Sequence, residues 1–319
     1  MIRTLWVIGA LFALPTAAQS QSYPVKPIRL VVPFAPGGGT DIIARLISQQ
    51  LGEALGQPVV ADNRGGAGST LGTEIVAKAP ADGYTLLLGN ISLAFNATLY
   101  QKLSYDALRD LAPVTLVAVQ PNILVIHPSV PAKTFKDFVA VARANPGKYT
   151  YASAGVGSGT HLAAELLKML TKTDLVHVPY KGTGPALNDL IGGQVHMMVS
   201  TFASALPHAK SGRLRALAVT TAKRSNAAPE VPTLIESGVA GFEYSTWYGL
   251  LAPAGVRKDT VQKLNAVAKQ VLARDDLKQK FEAQGVDALW NTPAEFSAYL
   301  KSETAKWAKV VKATGAKAE

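Results

Sequence analysis

The chain has 319 residues, with 32 basic and 22 acidic side chains for a net charge of +10, 48% hydrophobic residues and no cysteine. Without cysteine there is no disulfide framework, no thiolate-bound metal and no lipid anchor on an N-terminal cysteine. The basic residues are scattered, with no stripe and no interleaved aromatics, which argues against nucleic acid and leaves attraction of small anions as the use of the positive balance.

Met1-Ile2-Arg3, an apolar run from Leu5 to Leu14, and small or polar residues to Ser22 follow the order of an export signal. The run is too short to span a bilayer. A signal peptide over 1-20, cleaved after Ser20, is expected, and it directs a free, non-lipidated protein to the periplasm. Loss of Arg3 leaves 31 basic against 22 acidic residues, a net charge of +9. A mature chain of roughly 300 residues calls for two domains of about 100 to 200 residues each.

Strand-like runs then alternate with helical periodicity. Ile28 to Phe34, Pro58 to Asn63 and Tyr84 to Leu88 read as strands, with helices over Asp41 to Leu55 and Ser69 to Lys78. Pro113 to His127 reads as two β-rich runs broken by Gln120-Pro121-Asn122, which suits a crossing between domains. The alternation resumes with strands at Tyr149 to Ser153, Leu175 to Pro179, Val195 to Ser200 and Leu214 to Thr220. Helices over His161 to Leu170, Pro185 to Ile191 and Ala203 to Lys210 lie between them. A second crossing fits Tyr244 to Leu251, followed by helices over Thr260 to Arg274 and Thr292 to Thr314. The last has Phe296, Leu300, Trp307 and Val311 on one face and lysines 301, 306, 309 and 312 on its solvated side. This order implies an α/β fold of two lobes, each a mostly parallel sheet flanked by helices. The expected domains are 21-121 plus 247-319, and 122-246.

One internal similarity organises the chemistry. Gly37-Gly38-Gly39-Thr40-Asp41-Ile42 follows a strand and opens a helix, and Gly157-Ser158-Gly159-Thr160-His161-Leu162 repeats this in the second half. Such turns sit at the carboxyl ends of parallel strands, where ligands bind, so two facing lobes bring both to one cleft. Glycine lets the backbone approach a ligand, and a helix start offers free N–H groups and a favourable dipole to an anion. Thr40 and Thr160 can cap their helices, and their hydroxyls, with that of Ser158, can equally bond a carboxylate. Four charge-assisted hydrogen bonds give roughly 6 to 12 kcal/mol gross, compatible with affinity around micromolar after association costs.

Competing chemistries fail on spacing. No Lys-Ser/Thr follows Gly37 to Gly39 as in a phosphate loop, neither turn spaces its glycines for a dinucleotide, and no G-x-S-x-G elbow surrounds Ser69, Ser153 or Ser158. Ser158 and His161 could meet across a turn, but no third group is evident, and helix capping with a packed or ligand-facing histidine is simpler. The five histidines lack metal-ligand spacing. Asp41 and Arg45, four apart, read as a pair on the helix surface. No enzyme, metal or cofactor is expected.

Several long motifs in one order carry a family resemblance over nearly all of the mature chain. They are Tyr23-Pro24, Pro33-Phe34 with Gly38, Gly39 and Asp41, Asp82-Gly83-Tyr84-Thr85-Leu86, His161-Leu162, Val178-Pro179-Tyr180-Lys181-Gly182, and Gly192-Gly193-Gln194-Val195. Pro232-Thr233 with Glu236 and Gly238, and Trp247-Tyr248-Gly249 before Ala252-Pro253, complete the set. With these the chain resembles the substrate-binding proteins of tripartite tricarboxylate transporters, the Bug family of periplasmic solute receptors.

The resemblance implies a Venus flytrap joined by two hinge strands, capturing a small organic carboxylate and delivering it to permease subunits of the transporter. A monomer is expected. The implied ligand-binding set is Phe34, Ala35, Gly38, Gly39, Thr40, Asp41, Ser92, Ala154, Gly155, Gly157, Ser158, Thr160, His161 and Ser200, partly acting through water. His196 and Ser200 stand where the family often has aspartates. Loss of a cleft acid at Ser200 disfavours ligands with an ammonium group, so a di- or tricarboxylate or an aromatic acid is expected over an amino acid. A ligand-sensing receptor acting through a protein partner is the alternative.

Overall fold

Short runs rich in Val, Leu and Ile become the central strands, and the periodic segments between them become helices that bury one stripe against those strands. The computed structural model describes residues 23–318; the expected signal peptide lies outside the described residues. The first lobe begins with β1 (Ile28–Val32), α1 (Gly39–Leu55), β2 (Val59–Asn63), α2 (Thr70–Ala77), β3 (Thr85–Asn90) and α3 (Ser92–Leu99). A long β4 (Leu111–Ile126) runs into the second lobe. That lobe holds α4 (Phe135–Ala144), β5 (Thr150–Ser153), α5 (Gly159–Thr171), β6 (Val176–Pro179), α6 (Thr183–Ile191), β7 (Met197–Thr201), α7 (Phe202–Lys210) and β8 (Arg215–Val219). The chain returns through β9 (Ser245–Pro253) to α8 (Lys258–Leu272), α9 (Asp275–Ala283), β10 (Asp287–Ala288) and α10 (Pro293–Thr314).

The strand order is β2-β1-β3-β9-β4-β7-β5-β6, with β8 and β10 also pairing with β4. β1 is parallel to β2 and β3, and β5 is parallel to β6 and β7, whereas β4 and β9 run antiparallel to their neighbours. Each lobe is therefore a mixed sheet rather than a mostly parallel one. A strand that crosses out and a strand that returns can lie side by side only in opposite directions.

Gln120-Pro121-Asn122 does not break β4, as the sequence suggests it should. Residues through Pro121 pair with β9, and from Asn122 onward the ladder passes to β7 and β8. Proline offers no N–H to a ladder, so the point where β4 changes partner is where it is tolerated.

The expected stripe of α10 is buried at Phe296, Leu300, Trp307 and Val311, and Lys301, Lys306, Lys309 and Lys312 are exposed. The stripe also buries Glu303, whose carboxylate accepts from the indoles of Trp247 (3.1 Å) and Trp307 (3.0 Å). α3 carries no amphipathic period because most of its residues, among them Ser92, Phe95 and Asn96, are buried between β3 and α10. Trp307 packs edge-on against Phe95 of α3 and against Tyr244, just before β9. α10 thus anchors both the floor of the first lobe and the return crossing.

Candidate functional site

Both glycine-rich turns come to one cleft between the lobes. It is lined by Phe34, Gly38, Thr40, Asn90, Ala154, Ser158, Gly159, Thr160, Thr183, Thr201 and Thr246. Four helices begin there: α1 after Gly38, α5 after Ser158, α6 after Gly182 and α7 after Thr201. α3 starts two residues beyond Asn90. Among the described residues, no charged side chain lines the cleft. Its positive character comes from converging helix dipoles and free amides, and its side-chain chemistry is that of threonine, serine and asparagine.

The hydrogen bonds show which groups are already used. Thr40 Oγ1 accepts from Asn90 Nδ2 (3.2 Å), and Thr160 Oγ1 accepts from the Ala154 amide (2.8 Å) and lies 3.1 Å from Ser158 Oγ. The amides of Thr40 and Thr160 find no acceptor among the described residues. Each stands in the first turn of its helix, so the two lobes present matching donors to the space between them.

The lobes are closed on one another. The Gly39 amide donates to Thr201 Oγ1 (3.3 Å), the Gly159 amide to Ser92 Oγ (3.2 Å) and the Ala35 amide to the Lys181 carbonyl (3.1 Å). At the rim, the Tyr100 hydroxyl lies 2.9 Å from the Ala67 carbonyl and 3.0 Å from that of Val156, one donor shared across the cleft. Such closeness demands residues without side chains. A Cβ on Gly39 would stand 2.7 Å from both Gln120 Nε2 and Tyr248 Oη, and Gly157 combines φ +81° with a Cβ position 2.6 Å from Asn96 Oδ1. The space left between the lobes is a cavity of about 20 Å³.

Of the expected set, Phe34, Gly38, Thr40, Ala154, Ser158 and Thr160 line the cleft, while Ala35, Gly39 and Ser92 join the lobes as above. Gly155 packs against the Tyr180 carbonyl and Gly68, behind the lining. Three residues point elsewhere. Asp41 is buried, not on the helix surface, and its carboxylate accepts from the Gly37 amide (3.0 Å), Arg45 Nε (3.0 Å) and Asn63 Nδ2 (3.0 Å). Burial pushes this carboxyl up, but the bonds from Arg45, Gly37 and Asn63 outweigh it and hold it below the usual value. Asp41 therefore clamps the first glycine turn. Ser200 is fully buried with its hydroxyl on the Thr201 carbonyl (3.3 Å), and it is Thr201, one residue on, that faces the cleft. Strand alternation decides this, since adjacent residues face opposite sides.

His161 lies behind the second turn. Its Nδ1 faces the Gly157 amide (3.4 Å), and its ring stacks on His177 (4.3 Å between centroids), which stacks on Tyr151 (4.7 Å). Ser158 Oγ accepts the His161 amide (3.3 Å), not its ring, so Ser158 and His161 do not form a nucleophile pair. Burial is the main cause that pushes both histidines down to about 4. At neutral pH they are uncharged props for the loop. Asn90, Thr183, Thr201 and Thr246 carry no sequence signal beyond their positions at strand ends or helix starts. No group of three or more His, Cys, Asp or Glu side chains placed to hold a metal occurs among the described residues.

The comparisons agree with this geometry. Residues 43–316 match the tripartite tricarboxylate transporter family receptor. The chain is 39% identical to protein BugT of Bordetella pertussis over 322 residues, covering 99% of each chain. Among solved structures it is similar to R. palustris Rpa4515 with adipate, with 37% identity, a TM-score of 0.89, and 92% of this chain and 98% of that one covered. It is also similar to MatC of Rhodopseudomonas palustris with bound malate, with 34% identity, a TM-score of 0.87, and coverage of 91% and 100%. With this match over most of its length and this relative, the chain belongs to the tripartite tricarboxylate transporter family of receptors.

Proposed function

We propose that the protein is a periplasmic receptor that closes on a small organic carboxylate, with di- or tricarboxylates or aromatic acids preferred over amino acids, and hands it to a membrane permease. The observation that carries this reading is the convergence of four helix N-termini on a cleft without a charged side chain. The amides of Thr40 and Thr160 take one carboxylate from opposite lobes, so the ligand itself links the two halves. Each helix start favours a negative charge by about 0.3 to 1 kcal/mol, more where partly buried. With no acidic group lining the cleft, a ligand ammonium would lose its hydration without a partner.

The lobes are 21-121 plus 247-319, and 122-246, hinged where β4 and β9 pass between them. The change of β4 partners at Pro121/Asn122 supports that division. The export-like start of the sequence supports the periplasmic location, and adipate and malate in the similar structures support the ligand class.

The test is a thermal-shift screen of the mature protein, unfolded and refolded to strip carried ligand, against organic carboxylates, amino acids, sugars and amines. A selective rise in melting temperature with carboxylates is expected, since a ligand stabilises only the state it binds. A response confined to sugars or amines overturns the reading.

A further inference from the structure

Just behind the cleft lining lie polar groups that find no partner among the described residues. Thr246, near the start of β9, lines the cleft and donates its hydroxyl proton to Asn122 Oδ1 on β4 (2.7 Å). Asn122 is the ladder partner of Thr201, which also lines the cleft. Its backbone is fully engaged with Thr220, yet Asn122 Nδ2 has no partner although the residue is completely buried.

Near the same Thr246, the Tyr244 hydroxyl is also without a partner, and the residue is 1% exposed. Burial holds this phenol far above its ordinary range, so it keeps its proton. The hydroxyl lies within reach of Thr246 without a well-formed bond. It also abuts Gly159 of the cleft lining, where a Cβ would stand 2.4 Å away. Two buried side-chain donors thus flank one lining hydroxyl whose proton is already committed.

An unmet buried donor is costly, and β4 and the segment leading into β9 carry one each, both close to Thr246. A carboxylate held by the helix starts uses neither. The group that satisfies all three is a hydroxyl: it accepts from Asn122 Nδ2 and Tyr244 Oη and returns its own proton to a Thr246 lone pair. A methylene at the same point leaves every one of them unmet.

We infer that Asn122, Tyr244 and Thr246 form a neutral subsite that reads a hydroxyl group on the ligand, so the protein selects hydroxy-substituted carboxylates over their unsubstituted counterparts. This rests on the carboxylate reading above and specifies the ligand within it. The hinge position has a further consequence. A hydroxyl bound there bridges β4 and the segment leading into β9, so recognition and closure are coupled.

The experiment compares acids that differ by a single hydroxyl: succinate with malate, glutarate with 2-hydroxyglutarate, and tricarballylate with citrate, by titration calorimetry on the refolded protein. The hydroxylated member of at least one pair is expected to bind about 10- to 100-fold more tightly. Tyr244→Phe keeps the ring against Trp307, and Thr246→Val keeps the shape; each is expected to bring that ratio to within about threefold of unity, whatever its effect on the unsubstituted acid. Melting temperatures confirm that the variants are folded. Equal affinity within every pair overturns the subsite while leaving the carboxylate reading intact, as does a preference that survives both substitutions. Failure of all six acids to bind overturns the subsite together with the di- and tricarboxylate part of that reading.

Discussion

Acidification tests how the second glycine turn is held. His161 is 5% exposed, behind Gly157 and stacked on His177, and burial lowers its pKa from 6.5 to about 4. A base whose folded pKa lies below its unfolded value binds protons preferentially in the unfolded chain. Its contribution is therefore constant above about pH 6.5 and lost as pH falls toward 4. Between pH 7.5 and 5.0 the loss is about 2 kcal/mol for His161. His177 shifts in the same direction, first through burial and then through His161, but it is less buried and solvent screening makes its share smaller. Glu165, which accepts from Tyr151 and Lys168 close by, favours protonation of both rings and sets the lower edge of the window.

The assay is urea unfolding at the two pH values for the wild type and for His161→Gln, whose side-chain oxygen can still accept from the Gly157 amide. His196 and His208 are also shifted down by burial and titrate in both proteins, so the difference between the two isolates the stack. The wild type is expected to lose about 2 kcal/mol more than the variant on acidification. An equal loss in both proteins refutes the assignment of His161 as a buried neutral prop.

Two other substitutions address closure. Gly39→Ala places a methyl 2.7 Å from Gln120 Nε2 and Tyr248 Oη and 2.9 Å from Thr201 Cβ, at an overpacking cost of about 1 to 3 kcal/mol. Because Thr201 belongs to the other lobe, calorimetry should show carboxylate affinity falling about 10- to 100-fold, and unchanged affinity would show that the lobes need not come this close. Tyr100→Phe removes the donor shared by Ala67 and Val156, worth about 0.5 to 1.5 kcal/mol to the closed form. Small-angle scattering of the ligand-free variant is expected to report a more open average shape than the wild type, and identical profiles would remove Tyr100 as a latch.

The strand and helix alternation, the crossing near Gln120 to Asn122, the buried stripe of α10 and the two glycine turns were all legible in the sequence. Each is a local pattern, set by periodicity or by residues that permit a tight turn. The fate of individual side chains was not. Asp41 reads as a surface partner of Arg45 by spacing alone, and only the approach of Gly37 and Asn63 turns it into a buried clamp. Ser200 and Thr201 differ by one step along β7, and only the ladder with β4 decides which faces the ligand. Asn90, Thr183, Thr201 and Thr246 come from four separate stretches of chain. The sequence by itself determined where the backbone could turn and where helices begin. Tertiary structure alone decided which donors meet across the cleft and which, at Asn122 and Tyr244, remain unmet, because that depends on packing lobes whose contacting residues are distant in the chain, as Ser92 and Gly159 (67 positions) and Gly39 and Thr201 (162 positions) are.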